Sequence, residues 1–154
     1  MADMSSVQLR RRPILVVEDD PVDQELIGLA FQRAAVENPI VTVGNGQEAL
    51  NYLQAQSRFH WSSRSDLPAV IILDLDMPQM DGFEFLRRVK AEPPWASIPV
   101  VVLTTSQYDG DLTQSYALGA SSCLTKPGDF EELVMIASDV DRYWCRTNRI
   151  PENG

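Results

Sequence analysis

Carboxylates, a hydroxyl and an amine stand at the ends of apolar runs in this sequence. They belong to Glu18, Asp19, Asp74, Thr104 and Lys126. Three carboxylates brought together repel one another and raise each other's pKa unless a cation lies between them. Oxygen ligands with open coordination positions suit magnesium, which often takes a remaining ligand from a phosphate. With a lysine and a hydroxyl to hold the other phosphoryl oxygens, the set predicts phosphorylation of Asp74, whose carboxylate is the nucleophile.

Five apolar segments must position these groups. They start at Pro13, Ile40, Val70, Ile98 and Ser122, and each is followed by a helical pattern. Aliphatic runs without polar alternation are typical of strands buried on both faces. Strands that alternate with helices predict an α/β fold, a doubly wound five-stranded parallel sheet with helices on both faces. In such a sheet the carboxyl ends of the strands meet at one edge, where ligands bind.

Capping residues precede several of the predicted helices. Asp20 stands before Pro21, a residue suited to the first turn of a helix. Asn45, Asp81 and Asp129 are each followed three residues later by glutamate, which is the capping-box pattern. These signals place helix starts shortly after strand ends.

Helical periodicity predicts which side chains face the core. We expect the first helix to reach Val36, the fourth to span residues 109–118 and the last to reach Trp144. Gly119 is a natural C-cap. The first helix has apolar residues at helical spacing, namely Leu26, Ile27, Leu29, Ala30, Phe31 and Ala34, and in the fourth helix Leu112, Tyr116 and Ala117 are expected to face inward.

The stretch from Ser57 to Pro68 is read as a polar connection of about a dozen residues, which is long for a helix-to-strand link. A mobile insertion, a lid and a partner contact are all compatible with its composition. His60, the single histidine, is expected to be a surface residue within it.

The composition is that of one globular domain. The chain has 154 residues, 44% of them hydrophobic and 23% charged, and can bury a core of its own. We expect a flexible lead over residues 1–11, a domain over residues 12–145 and a tail over residues 146–154. The net charge of −9 disfavours a nucleic-acid partner, and Arg10, Arg11 and Arg12 are expected to be a solvated lead-in.

No apolar stretch approaches the roughly 18 residues that a membrane span needs, and the first dozen residues lack the apolar centre of a secretory signal. The prediction is therefore a cytoplasmic protein without a membrane partner. Cys123 and Cys145 are too few for a disulfide framework and are expected to be reduced thiols.

Four motifs together resemble the receiver domains of two-component response regulators, the CheY-like family. They are Val-Glu-Asp-Asp-Pro from Val17, Leu-Asp-Leu-Asp-Met-Pro-Gln-Met-Asp-Gly from Leu73, the strand end at Thr104, and Lys126-Pro127. The resemblance covers residues 12–144, and the intervals between the motifs also fit the family. It implies a flavodoxin-like sheet in the order 2-1-3-4-5.

The same resemblance implies roles for the site residues. A histidine kinase would phosphorylate Asp74, and Mg²⁺ would be bound by Asp19, Asp74 and the backbone carbonyl of Asp76, with Glu18 acting through water. Thr104 would hydrogen-bond the phosphoryl group, and Lys126 would pair with it. The Lys126-Pro127 peptide would be cis. The domain would be a phosphoacceptor with only intrinsic autophosphorylation and autodephosphorylation, and not a turnover enzyme.

Within the family, the sequence is most similar to stand-alone regulators that serve phytochrome-type kinases, including bacteriophytochromes. The long connection, the Val-Val-Leu-Thr-Thr-Ser run and the aromatic end of the last helix carry this similarity. Two residues depart from the general pattern. Cys123 replaces the usual aromatic switch residue, which puts the threonine-to-aromatic coupling in doubt, and Asp76 adds a carboxylate that bears on metal affinity or phosphoryl lifetime.

Two other functions fit parts of the pattern. Asp74-Leu-Asp76 has the spacing of nucleophile and general acid in haloacid-dehalogenase-type phosphatases, but it lies on the third strand and Met77 replaces a small residue. The second such function is that of a degenerate receiver that only binds partners. A module without chemistry has no need for these carboxylates, hydroxyl and amine.

The signal is expected to leave through a protein surface, since little sequence flanks the domain. The last helix carries apolar residues beyond one inward stripe, namely Phe130, Val134, Met135, Tyr143 and Trp144. They either close the bottom of the domain or help to form a homodimer, in which the fourth and fifth helices make the contact. The dimer interpretation predicts weakening by a charge at Val134 or Trp144.

Overall fold

The computed structural model describes residues 12–59, 67–75, 77 and 81–151. These residues contain one sheet of five parallel strands in the order β2-β1-β3-β4-β5, which confirms the predicted fold. The strands are β1 (Ile14–Val17), β2 (Ile40–Val43), β3 (Val70–Leu73), β4 (Val100–Thr104) and β5 (Ser122–Thr125).

Within the described residues the strands are accompanied by six α-helices and one π-helix. The α-helices are α1 (Pro21–Arg33), α2 (Gly46–Phe59), α3 (Gly82–Ala91), α4 (Pro93–Ala96), α5 (Asp109–Ala117) and α6 (Phe130–Val140), and the π-helix spans Asp141–Thr147.

Successive side chains of the central strands enter two different cores, because residues alternate between the faces of a sheet. One core joins strand residues such as Leu15 and Ile71 to buried side chains of α2 and α3, including Leu53 and Phe85. The other joins the alternate strand residues to Phe31 of α1 and to buried residues of α6. The sheet is therefore covered on both faces, as predicted.

The predicted capping residues begin their helices. The Asp20 carboxylate accepts from the N–H groups of Val22 and Asp23. Asn45 and Asp81 each accept from the N–H three residues on, both at 2.8 Å. Asp129 accepts from the N–H of residue 131 at 2.9 Å. Each cap satisfies backbone donors that have no partner inside the helix.

The ends of α1 and α2 differ from the predictions, and α4 is an additional helix. α1 ends at Arg33, before Val36, because Ala35 adopts a left-handed conformation with φ of 59°. α2 continues to Phe59, so the first residues of the predicted polar connection are helical; His60 and the rest of the connection up to residue 66 lie outside the described residues. Pro93 opens the unpredicted helix α4, since proline fits the first turn.

The predicted inward face of α5 is wrong, and the periodic residues of α1 are buried only in part, at Ile27, Ala30 and Phe31. Leu26 and Leu29 on α1 are 37% and 44% exposed, and Leu112 and Tyr116 on α5 are 43% and 50% exposed. The periodic stripe on each helix is wider than the face that packs on the sheet. Both helices therefore present apolar side chains to solvent.

The last helix changes from α-helical to π-helical geometry after Val140. The π-helix brings Asp141 and Cys145 inside, and the Asp141 carboxylate lies 2.9 Å from the guanidinium of Arg146. Helical structure therefore extends to Thr147, inside the predicted tail that begins at residue 146, and Ile150 packs against the second core. Gly119, with φ of 105°, follows α5 as predicted.

Arg12 is buried, which corrects its assignment to a solvated lead-in. Its side chain is 3% exposed, and its carbonyl accepts from the Asn38 amide at 2.8 Å. The contact ties the start of β1 to the turn before β2. The rest of the lead, residues 1–11, lies outside the described residues. No helix in the described part of the chain combines the length and apolarity needed to cross a bilayer.

Candidate functional site

The strand register brings the predicted site residues to one edge of the sheet. The N–H of Asp74 donates to the carbonyl of Val17 at 3.0 Å, so Asp74 lies beside Glu18. The N–H of Lys126 donates to the carbonyl of Thr104 at 2.8 Å. Four strands that are distant in sequence thus deliver their polar ends to one crevice, as the sequence predicts.

The Lys126 side chain lies among the carboxylates of this crevice. Its ammonium forms an ion pair with Glu18, hydrogen-bonds the Asp23 carboxylate at 3.0 Å and lies 3.9 Å from a carboxylate oxygen of Asp74. The Glu18 and Asp74 side chains are only 2% and 8% exposed. The half-buried ammonium of Lys126 here offsets carboxylate charge that water screens poorly.

The pKa values of Glu18 and Lys126 reflect this burial. Burial raises the pKa of Glu18, the hydrogen bond from Lys126 lowers it and the Asp74 charge raises it again, so that the pKa lies at about 7. For Lys126, burial lowers the pKa, but its bonds to Glu18 and Asp23 and the Asp74 charge outweigh burial and raise that pKa. The crevice therefore carries more negative charge than one lysine balances.

Three carboxylates are placed to hold a cation. Glu18, Asp19 and Asp74 each offer an oxygen, and these oxygens lie within 4.8 Å of one another. Asp19 is exposed while the other two are buried, so one side of the group remains open to solvent. An all-oxygen donor set with an open side fits a hard divalent cation. Asp76, whose carbonyl was predicted as a further ligand, lies outside the described residues.

Thr104 is buried at the end of β4. Its hydroxyl oxygen accepts from the N–H of Ser106 at 3.1 Å. Because a hydroxyl can accept one bond and donate another, Thr104 retains the ability to donate towards a phosphoryl oxygen. The contact with Ser106 also links this residue to the loop before α5.

The predicted cis peptide between Lys126 and Pro127 is wrong, since no cis bond occurs among the described residues. A trans bond is the lower-energy isomer before proline, and the Lys126 ammonium reaches Glu18 with the peptide in that form.

Two residues of α1 belong to the site although the sequence did not single them out. Asp23 pairs with Lys126, and the Gln24 side-chain amide donates to the Glu18 carbonyl at 2.6 Å. The available signal was their position in the first turn of a helix that starts at the same edge. A polar residue there points back towards the strand ends.

Gly82 lies against the backbone that carries Asp74. A β-carbon at this position would lie 2.5 Å from the Asp74 carbonyl oxygen and 2.6 Å from the Leu75 Cα, both backbone atoms. We expect Gly82→Ala to lower the free energy of unfolding by about 1–3 kcal/mol, because the turn must shift to admit a methyl group. Urea denaturation measures the loss.

Gly28 provides a matched control in the interior of α1. Nothing lies within 4 Å of a β-carbon built there. Gly28→Ala is expected to raise the free energy of unfolding by about 0.5–1 kcal/mol through helix propensity. Equal effects of the two substitutions would contradict the close packing inferred at Gly82.

The response regulator receiver domain family matches residues 14–138. The probable methanogenesis regulatory protein FilR2 of Methanothrix harundinacea is 39% identical over 138 residues, which cover 90% of this chain and 86% of FilR2. This similarity extends over nearly the whole of both proteins.

Two solved structures share the fold and most of the chain length. The phosphorylated cyanobacterial phytochrome response regulator RcpA is 34% identical with a TM-score of 0.80, covering 92% of this chain and 99% of RcpA. The second is the Mn²⁺-bound form of response regulator Rcp1, a protein of Synechocystis sp.. It is 32% identical with a TM-score of 0.76, and the match covers 90% of this chain and 98% of Rcp1. The haloacid-dehalogenase alternative gains no support from these similarities. With its sheet order, its acidic strand ends and its family match, the chain belongs to the receiver domains of response regulators.

Proposed function

We propose that this receiver accepts a phosphoryl group on Asp74 from a phosphohistidine of a histidine kinase, and that it is a phosphoacceptor and not a turnover enzyme. The observation that carries the proposal is the buried Asp74 carboxylate beside two further carboxylates and the Lys126 ammonium. A kinase of the phytochrome type is supported by the similarity to RcpA.

In the proposed transfer, an Asp74 carboxylate oxygen forms the bond to phosphorus as the phosphorus–nitrogen bond to the kinase histidine breaks. The departing imidazole keeps the electron pair and takes up a proton. Lys126, 3.9 Å from Asp74, would pair with the transferred group, and Thr104 would donate a hydrogen bond to it. Positioning and charge balance are most of what such a transfer requires.

Glu18, Asp19 and Asp74 would hold Mg²⁺, with Asp76 as a further predicted ligand. When bound, the cation would neutralise the charge that the incoming phosphoryl group adds. The raised pKa of Glu18 supports this assignment, because burial and the Asp74 charge leave an unbalanced negative environment.

The test is phosphotransfer from a panel of autophosphorylated histidine kinases, with acetyl phosphate as a small-molecule donor and Mg²⁺ present. Incorporation of one acid-stable, base-labile phosphoryl group per chain is expected, as for an acyl phosphate. Incorporation on serine or threonine, or rapid multiple turnover of a phosphate ester, would contradict the proposal.

The exposed apolar side of α1 is placed to receive the kinase. Val22, Leu26 and Leu29 are all more than a third exposed, and α1 begins directly after the acidic strand end. Leu26 also lines a small cavity with Lys126 and Pro127, so it lies next to the site. We propose that this stripe packs against an apolar helix of the kinase.

Leu26→Glu is expected to slow phosphotransfer from the kinase at least about tenfold, since a charge in an apolar contact costs more than about 1.4 kcal/mol. Uptake from acetyl phosphate should remain near the wild-type rate, because this small donor makes no contact with the stripe. Gln32→Glu, an exposed position on the same helix, is the charge control. Equal slowing with both donors would place the effect in the site itself.

We also propose the homodimer through the predicted fourth and fifth helices, here α5 and α6. Exposed apolar side chains occur on both helices and on the π-helix that follows α6. They are Leu112, Tyr116, Met135 and Tyr143. Phe130, Val134 and Trp144 instead pack partly against the second core, so a charge at Val134 or Trp144 would also weaken the fold.

Met135→Glu and Leu112→Glu are therefore the sharper tests. We expect a dimer with a Kd in the micromolar range, roughly −8 kcal/mol, and at least about tenfold weakening in each variant. Sedimentation equilibrium measures the Kd, and unfolding curves check that stability is kept. A monomer at all concentrations, with and without beryllofluoride, would exclude this assembly.

A further inference from the structure

A chain of hydrogen bonds runs from Thr104 into the first turns of α5. The Thr104 hydroxyl accepts from the Ser106 N–H, and the Ser106 hydroxyl donates to the Asp111 carboxylate at 2.5 Å. The Asp111 carbonyl in turn accepts from the Ser115 hydroxyl at 2.7 Å. The chain connects a residue of the phosphorylation site to a helix whose outer face is exposed and apolar.

Ser106 is also the side chain that anchors the start of α5. The N-cap residue, Tyr108, makes no side-chain capping bond. Its own N–H donates to the Ser106 hydroxyl at 3.3 Å, and the Asp111 carboxylate in the first turn is held by the same hydroxyl. The position of the helix start therefore depends on Ser106, which depends on Thr104.

The surroundings leave room for this segment to shift. A cavity of about 260 Å³ lies between the end of β4, the first turns of α5 and β5. Its lining includes Thr104, Ser106, Asp111 and Cys123. A larger side chain at Cys123 would take up part of this volume. Packed interiors resist movement, so a cavity beside a loop lowers the cost of a displacement.

We propose that the Ser106–Asp111 hydrogen bond is the link through which the phosphorylation state of Asp74 repositions α5; this rests on the proposed function. When Thr104 turns its hydroxyl towards a phosphoryl oxygen, its oxygen atom moves and the Ser106 N–H follows. The Ser106 hydroxyl then draws the Asp111 carboxylate and the first turn of α5 with it. Ser106 is thus a positioning residue that acts through Thr104 and Asp111.

The experiment uses the full chain with Mg²⁺, with and without beryllofluoride as a stable phosphoryl mimic. Amide hydrogen exchange of residues 108–118 is compared between the two states in wild type, Ser106→Ala, Ser106→Thr and Asp111→Ala. We expect at least a threefold change in exchange on adding the mimic in wild type and Ser106→Thr, which keeps the hydroxyl. Ser106→Ala and Asp111→Ala should lose that change. Thr113→Ala, an exposed hydroxyl on α5, should keep it.

Acetyl phosphate uptake is measured on the same samples. A purely structural cap would raise exchange in both states of Ser106→Ala while leaving the difference between them, and that result would overturn the proposal. The double variant Ser106→Ala/Asp111→Ala should lose no more than either single one, since the residues act as a pair. Wild-type uptake without any response of α5 would overturn the link alone, whereas absence of uptake would overturn the proposed function with it.

Discussion

Asp74→Asn is expected to abolish phosphoryl uptake from both a kinase and acetyl phosphate. The substitution removes the nucleophilic oxygen, and a carboxamide does not replace it. The fold should be kept, because the new side chain has nearly the same shape at the buried end of β3. Uptake is measured with radiolabelled donors, and a rate below about one thousandth of wild type is expected.

The same variant should unfold at a slightly higher urea concentration. Asp74 contributes to the raised pKa of Glu18, so removing its charge relieves repulsion in the crevice by on the order of 1 kcal/mol. Asp139→Asn, the same chemical change at an exposed position of α6, should alter neither uptake nor stability. Normal labelling of Asp74→Asn would show that another residue is the acceptor.

Much of the fold was predictable because its signals are local. Each buried strand is a short aliphatic run, and Asp20, Asn45 and Asp81 mark helix starts through bonds to their own neighbours. Because parallel strands end at one edge of the sheet, the sequence also predicts that Glu18 and Asp74 lie together, as they do.

The errors have a common physical cause, which is that they depend on what packs against each element. Leu26 and Leu112 follow a helical period, yet the sheet covers only part of each stripe. The π-helix buries Asp141, whose carboxylate pairs with Arg146 one turn further on. Asp23 joins the site only because the start of α1 lies over the Lys126 ammonium.

Lys126→Ala is expected to lower stability and to abolish the response of α5, while Mg²⁺ binding and phosphoryl uptake are kept. Its ammonium faces two buried carboxylates, so its removal leaves charge without a partner, which costs about 3–5 kcal/mol when the charge cannot adjust. Glu18 can take up a proton, and we therefore expect a loss of about 3 kcal/mol, at the low end of that range. Urea unfolding without Mg²⁺ measures it.

The pH dependence has a definite sign. In wild type the pKa of Glu18 is about 7 in the folded protein and 4.5 ordinarily. The folded protein thus keeps a proton that the unfolded chain releases, and stability falls as the pH rises between these values. Without the lysine, the pKa of Glu18 should rise further, so the fall should be larger and extend to higher pH.

Added Mg²⁺ should restore most of the stability lost in Lys126→Ala, because a cation held by Glu18, Asp19 and Asp74 replaces the missing charge. Lys90→Ala is the matched control. The Lys90 ammonium donates to the carbonyls of Ala96 and Ile98 instead of carboxylates, so Mg²⁺ should not rescue that variant.

Phosphoryl uptake by Lys126→Ala from acetyl phosphate should persist, since the ammonium does not perform the attack. The exchange response of α5 to beryllofluoride should be lost, because no cation on β5 then pairs with the new group. Failure of Lys126→Ala to bind Mg²⁺ would assign this lysine a structural role. An unchanged α5 response would remove it from the signalling path and leave Thr104 as the contact that carries the signal.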